Sequence, residues 1–368
     1  MKKILCFAAA CLGGSLLLIQ CDKTIGAPAP TPTDAALLPF TTVAESMIET
    51  KASFGDRDEQ EELIQSLDVY VFKPELDNVV ESHLRFIVGG VDHFNGLITA
   101  TAGTRNVGFI ANISQEEGQK IHTMEDFENR HFYFSENKVN SLVMTELVKG
   151  VVLEKSTIGD DGTWTDTTVE AKLVRTVARI RLHRISNRID PSYMTFQLNA
   201  IYLMNAAKEF DPVSQTVNGY WNGSEPFTAE EDNIKSMIHL PSSLEGSFIP
   251  LPLSFPYNYN WEQGVFYALP NTASESESAG QDNVTKLVIE LSVDGKICYY
   301  PIGIPNLERN TTYEIYDVVL KRIGSDDPNT YVTKAVTDIQ ATVLDWTEGT
   351  IIGQNNGEFN EDTGVAIF

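Results

Sequence analysis

The sequence predicts an all-β protein built from two tandem β-sandwiches, and three observations support this. Short apolar stretches with period-2 alternation recur from residue 67 onward, separated by clusters of turn residues. Strongly helical periodicity is scarce. The chain has 368 residues, which is longer than one core usually spans, and its hydrophobic content of 42% suffices for two cores. We therefore expect two domains.

Residues 1–20 have the pattern of an export signal. Two lysines precede an apolar run that is too short to span a bilayer, for which about 20 apolar residues are needed. The run ends at Cys21, so we expect cleavage before this cysteine and lipidation of its thiol. Gly, Ala or Ser usually precedes such a cysteine, whereas this chain has Gln20. Ordinary secretion is the alternative.

The pattern of the rest of the chain predicts a succession of strands. A proline-rich spacer at residues 26–32 is followed by a strand-like segment at 37–50 and a polar stretch at 55–62 that should be exposed. The charged segment 115–128 is compatible with one short helix. Further strands are predicted at residues 67–71, 84–88, 107–111, 131–135, 142–153, 164–169, 173–185, 194–203, 266–269, 286–293, 298–304, 312–322 and 339–346.

The longest alternating stretch, residues 173–185, has a basic face. Its apolar face carries Val174, Ala178, Ile180 and Leu182, and its other face carries Arg175, Arg179, Arg181 and His183. Because the chain is acidic overall, we expect this basic face to meet carboxylates inside the protein or at a domain junction.

Charge and cysteine content exclude several classes of function. The chain has 27 basic and 51 acidic residues, a formal net charge of −24, so it should repel nucleic acid and anionic lipid. Three of its four cysteines lie in the signal or at its end. Cys298 therefore has no disulfide partner in the mature chain, and its apolar surroundings predict a small core residue.

No catalytic or metal-binding constellation stands out in the sequence. The six histidines are scattered without the paired spacing of a zinc protease. Asp160, Asp161 and Asp166 lack the twelve-residue pattern of a calcium loop, and a hairpin turn at residues 159–162 is the preferred interpretation. We therefore expect no enzyme activity, no metal and no cofactor.

The informative segments lie at the two ends. Lys51 follows the strand-like segment 37–50 and precedes the polar stretch, and an exposed basic residue in a polar linker is where a trypsin-like protease cuts. The alternative is an ordinary surface lysine. At the other end of the chain, Ile339, Ala341 and Val343 alternate with other residues, and a second apolar patch with Ile351 and Ile352 follows. The alternative to a functional role for this segment is a last strand with a frayed tail.

In its order of motifs the chain resembles the fimbrillins, the type V pilin subunits of Bacteroides-group bacteria. Five places carry the resemblance along nearly the whole chain: residues 51–55 through 67–71, 106–112, 173–179, 307–310 with 313–315, and 339–346 with 352–355. Each motif is weak alone, and their common order makes the resemblance specific.

The resemblance implies a fold and an assembly mechanism. In fimbrillins two transthyretin-like sandwiches lie in tandem, and a lipoprotein precursor loses its first strand to an arginine- or lysine-specific protease. The C-terminal segment of a neighbouring subunit then fills the groove. Carried over to this sequence, the resemblance implies a signal at 1–20, a propeptide at 21–51 cut between Lys51 and Ala52, and domains at 52–172 and 173–346. It also implies a donor region within 335–368, with the donor-strand residues Ile339, Ala341, Val343, Ile351 and Ile352.

The implied function is a structural subunit of the fimbrial shaft that serves adhesion or biofilm formation. Its partners would be other pilin subunits, a trypsin-like protease and surface receptors, and its location the outer membrane and then the fimbrium. Lys51 stands where the family often has Arg. The alternatives are a tip or accessory fimbrillin, or a monomeric lipoprotein that binds glycans through Tyr257, Tyr259 and Trp261.

Overall fold

A computed structural model of the protein describes most of the chain. The described residues are 35–44, 60–155, 168–189, 195–240, 253–254, 264–273, 283–332, 337–345, 351–353, 358–359 and 366–367. The predicted turn at 159–162 and the three aromatic residues of the glycan-binding alternative lie outside these ranges.

The described part of the first half of the chain contains eight strands and two short α-helices. They are β1 Ala35–Ala44, β2 Ile64–Lys73, β3 Val79–Val91, β4 His93–Thr101, β5 Gly103–Ala111, α1 Gln115–Gly118, α2 Met124–Glu128, β6 Phe132–Tyr133, β7 Met144–Leu153 and β8 Val169–Arg175.

The second half is also built almost wholly of strands. The elements are β9 Ala178–Leu182, β10 Arg184–Asn187, β11 Phe196–Met204, β12 Ala206–Ala207, β13 Glu209–Asp211, β14 Thr216–Val217, β15 Tyr220–Trp221, α3 Asp232–Ile238, β16 Leu253–Ser254, β17 Val265–Ala268, β18 Thr285–Val293, β19 Lys296–Ile304, β20 Thr311–Leu320, β21 Thr337–Asp345, β22 Ile351–Gly353, β23 Glu358–Phe359 and β24 Ala366–Ile367.

All strands described in the first half except β6 form one folded sheet with the order β3-β2-β5-β7-β8-β1-β4, whereas β6 pairs with β13 of the second half. β8 joins its two parts, because its end pairs with β7 while its start runs parallel to β1. Apolar side chains from both parts enclose one core. The central strands β2 and β5 are buried along nearly their whole length, since α1, α2 and the adjoining loops cover their outer face with a second apolar cluster.

The second half has two main sheets around another core. One sheet contains β16-β10-β20-β21-β22 with β9 and β17, and the other has the order β11-β18-β19. Their facing side chains form one large cluster that includes Cys298, which is 1% exposed. Cys298 is therefore the core residue that the sequence predicts, and burial raises the pKa of its thiol.

The all-β fold class is confirmed, and the predicted strands overlap observed ones throughout the described chain. Three details differ. The segment 115–128 forms two short helices instead of one, and the stretch 173–185 is divided between β8, β9 and β10. The strand β4 and the short strands β12 to β16, β23 and β24 have no counterpart among the predictions. The chain changes from one sheet system to the other at residues 176–177, and the domain bounds stay a prediction.

No helix in the described part of the chain is both long enough and apolar enough to cross a membrane.

A buried ionic cluster joins the two halves, as the basic face of residues 173–185 predicts. Arg179 on β9 pairs with the carboxylate of Glu61, to which the Tyr267 hydroxyl also donates a hydrogen bond. Arg179 Nε donates to Thr312 Oγ1 at 3.1 Å, and Arg175 Nε donates to the Glu61 carbonyl at 3.2 Å. The side chains of Glu61 and Arg179 are each 1% exposed.

Glu61 corrects the expectation that the polar stretch 55–62 is exposed. Its charge is stable in the interior because cations surround it: burial alone would raise the pKa of this carboxyl, but Arg179, Arg181, the Tyr267 hydroxyl and Arg175 together hold it below its ordinary value. Sequence patterning missed this residue since a glutamate among other acidic residues has the appearance of a solvated loop.

Two motifs of the family resemblance meet at the same junction. Arg309 donates from Nε to the Arg175 carbonyl at 2.9 Å and from Nη2 to the Val174 carbonyl at 2.6 Å, so it ties β8 to the turn before β20. Asn310 follows with φ of 55°, a left-handed conformation that asparagine tolerates, and its N–H donates to the Val177 carbonyl at 2.9 Å.

We predict that Glu61→Gln destabilises the full chain by roughly 3–5 kcal/mol, because it leaves the buried Arg179 charge uncompensated. Urea denaturation at pH 7 measures this, with Glu170→Gln on the exposed face of β8 as the matched control. The control should stay within about 0.5 kcal/mol of the natural chain.

The difference in stability between the natural chain and Glu61→Gln should depend on pH. Because folding lowers the pKa of Glu61 below 4.5, its stabilisation is complete above that value and is lost as the pH falls through the folded pKa. The stability difference between the natural chain and Glu61→Gln should therefore shrink in acid. A difference that stays constant from neutral pH to strong acid would contradict the assigned role of the carboxylate.

Candidate functional site: the first strand and its groove

The strand β1 lies between two neighbours. It runs antiparallel to β4, with Ala35 opposite Thr101 and Val43 opposite His93, and parallel to β8 from Phe40 onward. The Ala44 N–H continues the ladder by donating to the Asp92 carbonyl at 2.9 Å. Without β1, both neighbouring strands would present unpaired backbone groups along the gap.

The side chains of β1 alternate strictly between core and surface, as its pattern of burial shows. The inward residues have an exposure of 1% or less: Ala36, Leu38, Phe40, Thr42 and Ala44. On the opposite face Val43 is 41% exposed. Burying a leucine or phenylalanine side chain contributes roughly 1.5–3 kcal/mol, so β1 supplies a substantial part of the first core.

Phe40 is the central inward residue of β1. Its ring contacts three other phenylalanines across the sandwich, with centroid distances of 5.6 Å to Phe86 on β3, 6.2 Å to Phe94 on β4 and 5.5 Å to Phe109 on β5. Such tilted and edge-to-face aromatic pairs add to the stabilisation that burial provides.

Gly96 lies directly opposite Phe40 on β4. A Cβ atom at this glycine would be 2.2 Å from the Phe40 Cζ atom, so the ring occupies the space that any other residue would fill. A glycine inside a strand commonly marks such a close approach. Phe40 and Gly96 therefore define the register between β1 and β4 by shape.

A polar clamp holds the far end of β4 independently of β1. Arg105 is fully buried, and its Nε donates to Glu81 Oε2 at 2.6 Å. Glu81 Oε1 accepts from the Thr101 N–H at 2.8 Å, and Arg105 Nη2 donates to the Ala102 carbonyl at 3.2 Å. Ser82 adds a 2.6 Å hydrogen bond to the Thr99 carbonyl. These bonds connect β3 and β5 to the end of β4.

Cys21, the residue predicted for lipidation, and Lys51 and Ala52, the residues of the predicted cleavage site, lie outside the described ranges. The strand predicted at residues 37–50 is observed as β1 Ala35–Ala44. The predicted cut falls between the end of β1 and Glu61, which is buried.

The predicted donor residues fall in two strands of the C-terminal sheet. Ile339, Ala341 and Val343 belong to β21, which pairs along its whole length with β20. Ile351 and Ile352 belong to β22, a three-residue strand at the edge of that sheet. In this structure all five residues therefore extend the sheet of their own chain, and their donor role stays a prediction.

Within the described part of the chain, no group of three or more His, Cys, Asp or Glu side chains has the arrangement of a metal site. The absence of catalytic residues and of a cofactor stays a prediction.

Sequence patterning missed β4, and with it Gly96. The buried positions of β4 do alternate, at Phe94, Ile98 and Ala100, but Gly96 interrupts the series at its centre. The missing apolar side chain is supplied by Phe40 from the neighbouring strand. The one sequence feature that could have indicated β4 is an isolated glycine, Gly96, that matches an aromatic residue, Phe40, elsewhere in the chain.

Comparison with known proteins agrees with this architecture. Residues 43–184 match the family model described as major fimbrial subunit protein (FimA). That range begins at the end of β1 and contains β2 to β9, which includes the groove and the basic strand of the junction. No curated protein matches the chain.

Solved structures share the fold at low sequence identity. A fimbrilin (FimA) from Porphyromonas gingivalis W83 is 15% identical, with a TM-score of 0.57 and coverage of 88% of this chain and 100% of that chain. A candidate cell adhesion protein from Bacteroides eggerthii DSM 20697 is 15% identical, with a TM-score of 0.55 and coverage of 87% and 98%. Another from Parabacteroides distasonis ATCC 8503 is 17% identical, with a TM-score of 0.53 and coverage of 85% and 100%.

Residues 43–184 are thus similar to major fimbrial subunits, and the whole fold is shared with solved structures of a fimbrilin and of cell adhesion proteins. These findings confirm the resemblance to fimbrillins that the sequence predicts.

We predict that Phe40→Ala destabilises the uncleaved chain by roughly 3–5 kcal/mol, because it removes the central ring of the first core and leaves a cavity above Gly96. Chemical denaturation measures the loss. Val43→Ala, on the exposed face of the same strand, is the matched control and should cost less than about 1 kcal/mol. Equal effects of the two substitutions would show that the inward face of β1 is not a major stabilising element.

Proposed function

We propose that the chain is a structural subunit of a fimbrial shaft, exported as a lipoprotein precursor, cleaved after Lys51 and polymerised by donor-strand exchange. The observation that carries the proposal is the placement of β1 between β8 and β4, with its inward face buried and its end upstream of the predicted cut. The role is structural and involves no catalysis.

Physical chemistry favours exchange once the connection is cut. Loss of β1 exposes the apolar floor of the groove and unpaired N–H and C=O groups, both of which are unfavourable in water. A strand from another subunit satisfies the backbone and covers the core at once. Because this contact is head to tail and does not close, it propagates as a filament.

The position of Glu61 after the predicted cut means that β1 can be removed without loss of the buried ionic cluster. A cut between Lys51 and Ala52 removes Cys21 and β1 together, while the mature chain keeps Glu61 in its buried ionic cluster. The lipid on Cys21 would thus hold the precursor at the outer membrane until a trypsin-like protease releases the subunit into the fimbrium. Surface receptors then become its partners in adhesion or biofilm formation.

The edge position of β22 favours residues 346–368 as the donated segment. Release of Ile351 and Ile352 breaks the short pairing between β22 and β21. Release of Ile339, Ala341 and Val343 would break the long pairing between β21 and β20 as well. The segment after β21 therefore leaves its own domain at a lower cost in hydrogen bonds.

We predict that limited trypsin cleavage of the full chain near Lys51 yields an SDS-resistant ladder and filaments in electron micrographs. The double variant Lys51→Gln, Arg57→Gln should stay monomeric, since it leaves no trypsin site between β1 and Glu61 and the connection to β1 remains intact. Deletion of residues 346–368, which retains β21, should permit cleavage but no polymer. Cleavage at Lys51 without any ladder or filament would contradict the shaft-subunit proposal, and glycan binding by the monomer would favour the glycan-binding alternative.

The clamp on β4 generates a second prediction. Glu81→Gln weakens the bonds of Glu81 to Arg105 and Thr101, so after cleavage amide hydrogens of β4 should exchange faster than in the natural chain. Before cleavage the difference should be small, because β1 still pairs with β4 along its length. Hydrogen exchange with mass spectrometry measures this, and Glu116→Gln at an exposed site is the control. Equal β4 protection in the cleaved natural and Glu81→Gln proteins would contradict the clamp.

A further inference from the structure

The groove has one position that differs from all others along its length. Four of the inward residues of β1 are aliphatic or small, and only Phe40 is aromatic. The space around its ring is bounded by Phe86, Phe94 and Phe109 and by Gly96 beneath it. We refer to these four residues as the aromatic pocket.

The walls of the aromatic pocket belong to strands that remain after β1 is removed. Phe86, Phe94 and Phe109 lie on β3, β4 and β5, and the rings of Phe86 and Phe94 also contact each other at 5.3 Å. The Arg105 clamp holds β4, and so Phe94 and Gly96, to the rest of the sheet. The pocket is thus part of the mature subunit.

The shape of this pocket distinguishes one register from the others. A strand displaced by one residue turns its apolar face outward. A strand displaced by two residues would place a side chain of the size of Leu38 or Thr42 over Gly96. Such a side chain is smaller than the Phe40 ring and leaves part of the space unfilled. Unfilled apolar space in a core is costly, so only a planar aromatic ring at this position completes the packing.

We propose that the aromatic pocket is the specificity pocket of the groove, and that it receives an aromatic side chain from residues 346–368 of a second copy. The inference rests on the proposed donor-strand function and adds to it the chemistry by which the groove selects its strand. The candidate segment contains three aromatic residues, Trp346, Phe359 and Phe368.

Synthetic peptides test the pocket without altering the protein. The full chain is cleaved with trypsin in the presence of a fluorescent peptide of residues 33–46, and both peptide binding and polymer formation are measured. The natural peptide should bind and block the ladder. A Phe40→Ala peptide should require about 100-fold more peptide for the same effect, as expected for loss of a buried ring. A Val43→Ala peptide, altered on the outer face, should act like the natural one.

The two readouts separate this inference from the proposed function. If the cleaved chain forms no polymer even without peptide, the shaft-subunit proposal fails, and the binding of the labelled peptides still decides the pocket. If the Phe40→Ala peptide binds as well as the natural one, or if no peptide binds, the specificity pocket is overturned.

Alanine variants of the chain then identify the ring that enters. Trp346→Ala, Phe359→Ala and Phe368→Ala are each cleaved and examined for polymer. One of them should be cleaved normally and fail to polymerise, while the other two polymerise like the natural chain and serve as its controls. If no single variant stands apart, the assignment of an aromatic residue in 346–368 to the pocket is wrong.

Discussion

The first core of this protein depends on β1, the first described strand of the chain, which lies between β8 and β4 in the sheet. β1 satisfies the backbone of β4 and β8 and at the same time places Phe40 among the phenylalanines of three other strands. Backbone pairing and core packing are thus provided by one segment, and neither can be removed without the other. Any process that takes β1 away must offer an equivalent strand, because the remaining groove combines exposed apolar surface with unpaired hydrogen-bonding groups.

A separate set of interactions keeps the rest of the molecule in place. Glu61, Arg179 and Tyr267 form a buried cluster between the two sheet systems, and Arg309 binds the carbonyls at the end of β8. These contacts lie beyond the predicted cut, so they do not depend on β1. Removal of one partner of such a buried ion pair leaves the other charge uncompensated, so each partner depends on the other. If β1 is cleaved and replaced as proposed, this junction would stay intact.

Much of the fold could be predicted from the sequence because period-2 alternation reports burial on one side of a sheet. That signal located β1 and most of the strands of both halves, and the alternating arginines of residues 173–185 predicted their buried carboxylate partners. It did not locate β4, because Gly96 breaks the alternation. It also placed Glu61 in solvent, since a glutamate in an acidic loop carries no local sign of the arginines that surround it.

The sequence by itself determined the fold class, the acidic surface, the position of the first strand and the basic residue that follows it. Those features follow from local composition and periodicity, which need no knowledge of neighbours. The tertiary structure decided which strands flank β1, why Gly96 must lie opposite Phe40, and that β21 pairs with its own domain while β22 lies at the edge. These are relations between residues far apart in the chain, and shape complementarity between them has no counterpart in a linear pattern.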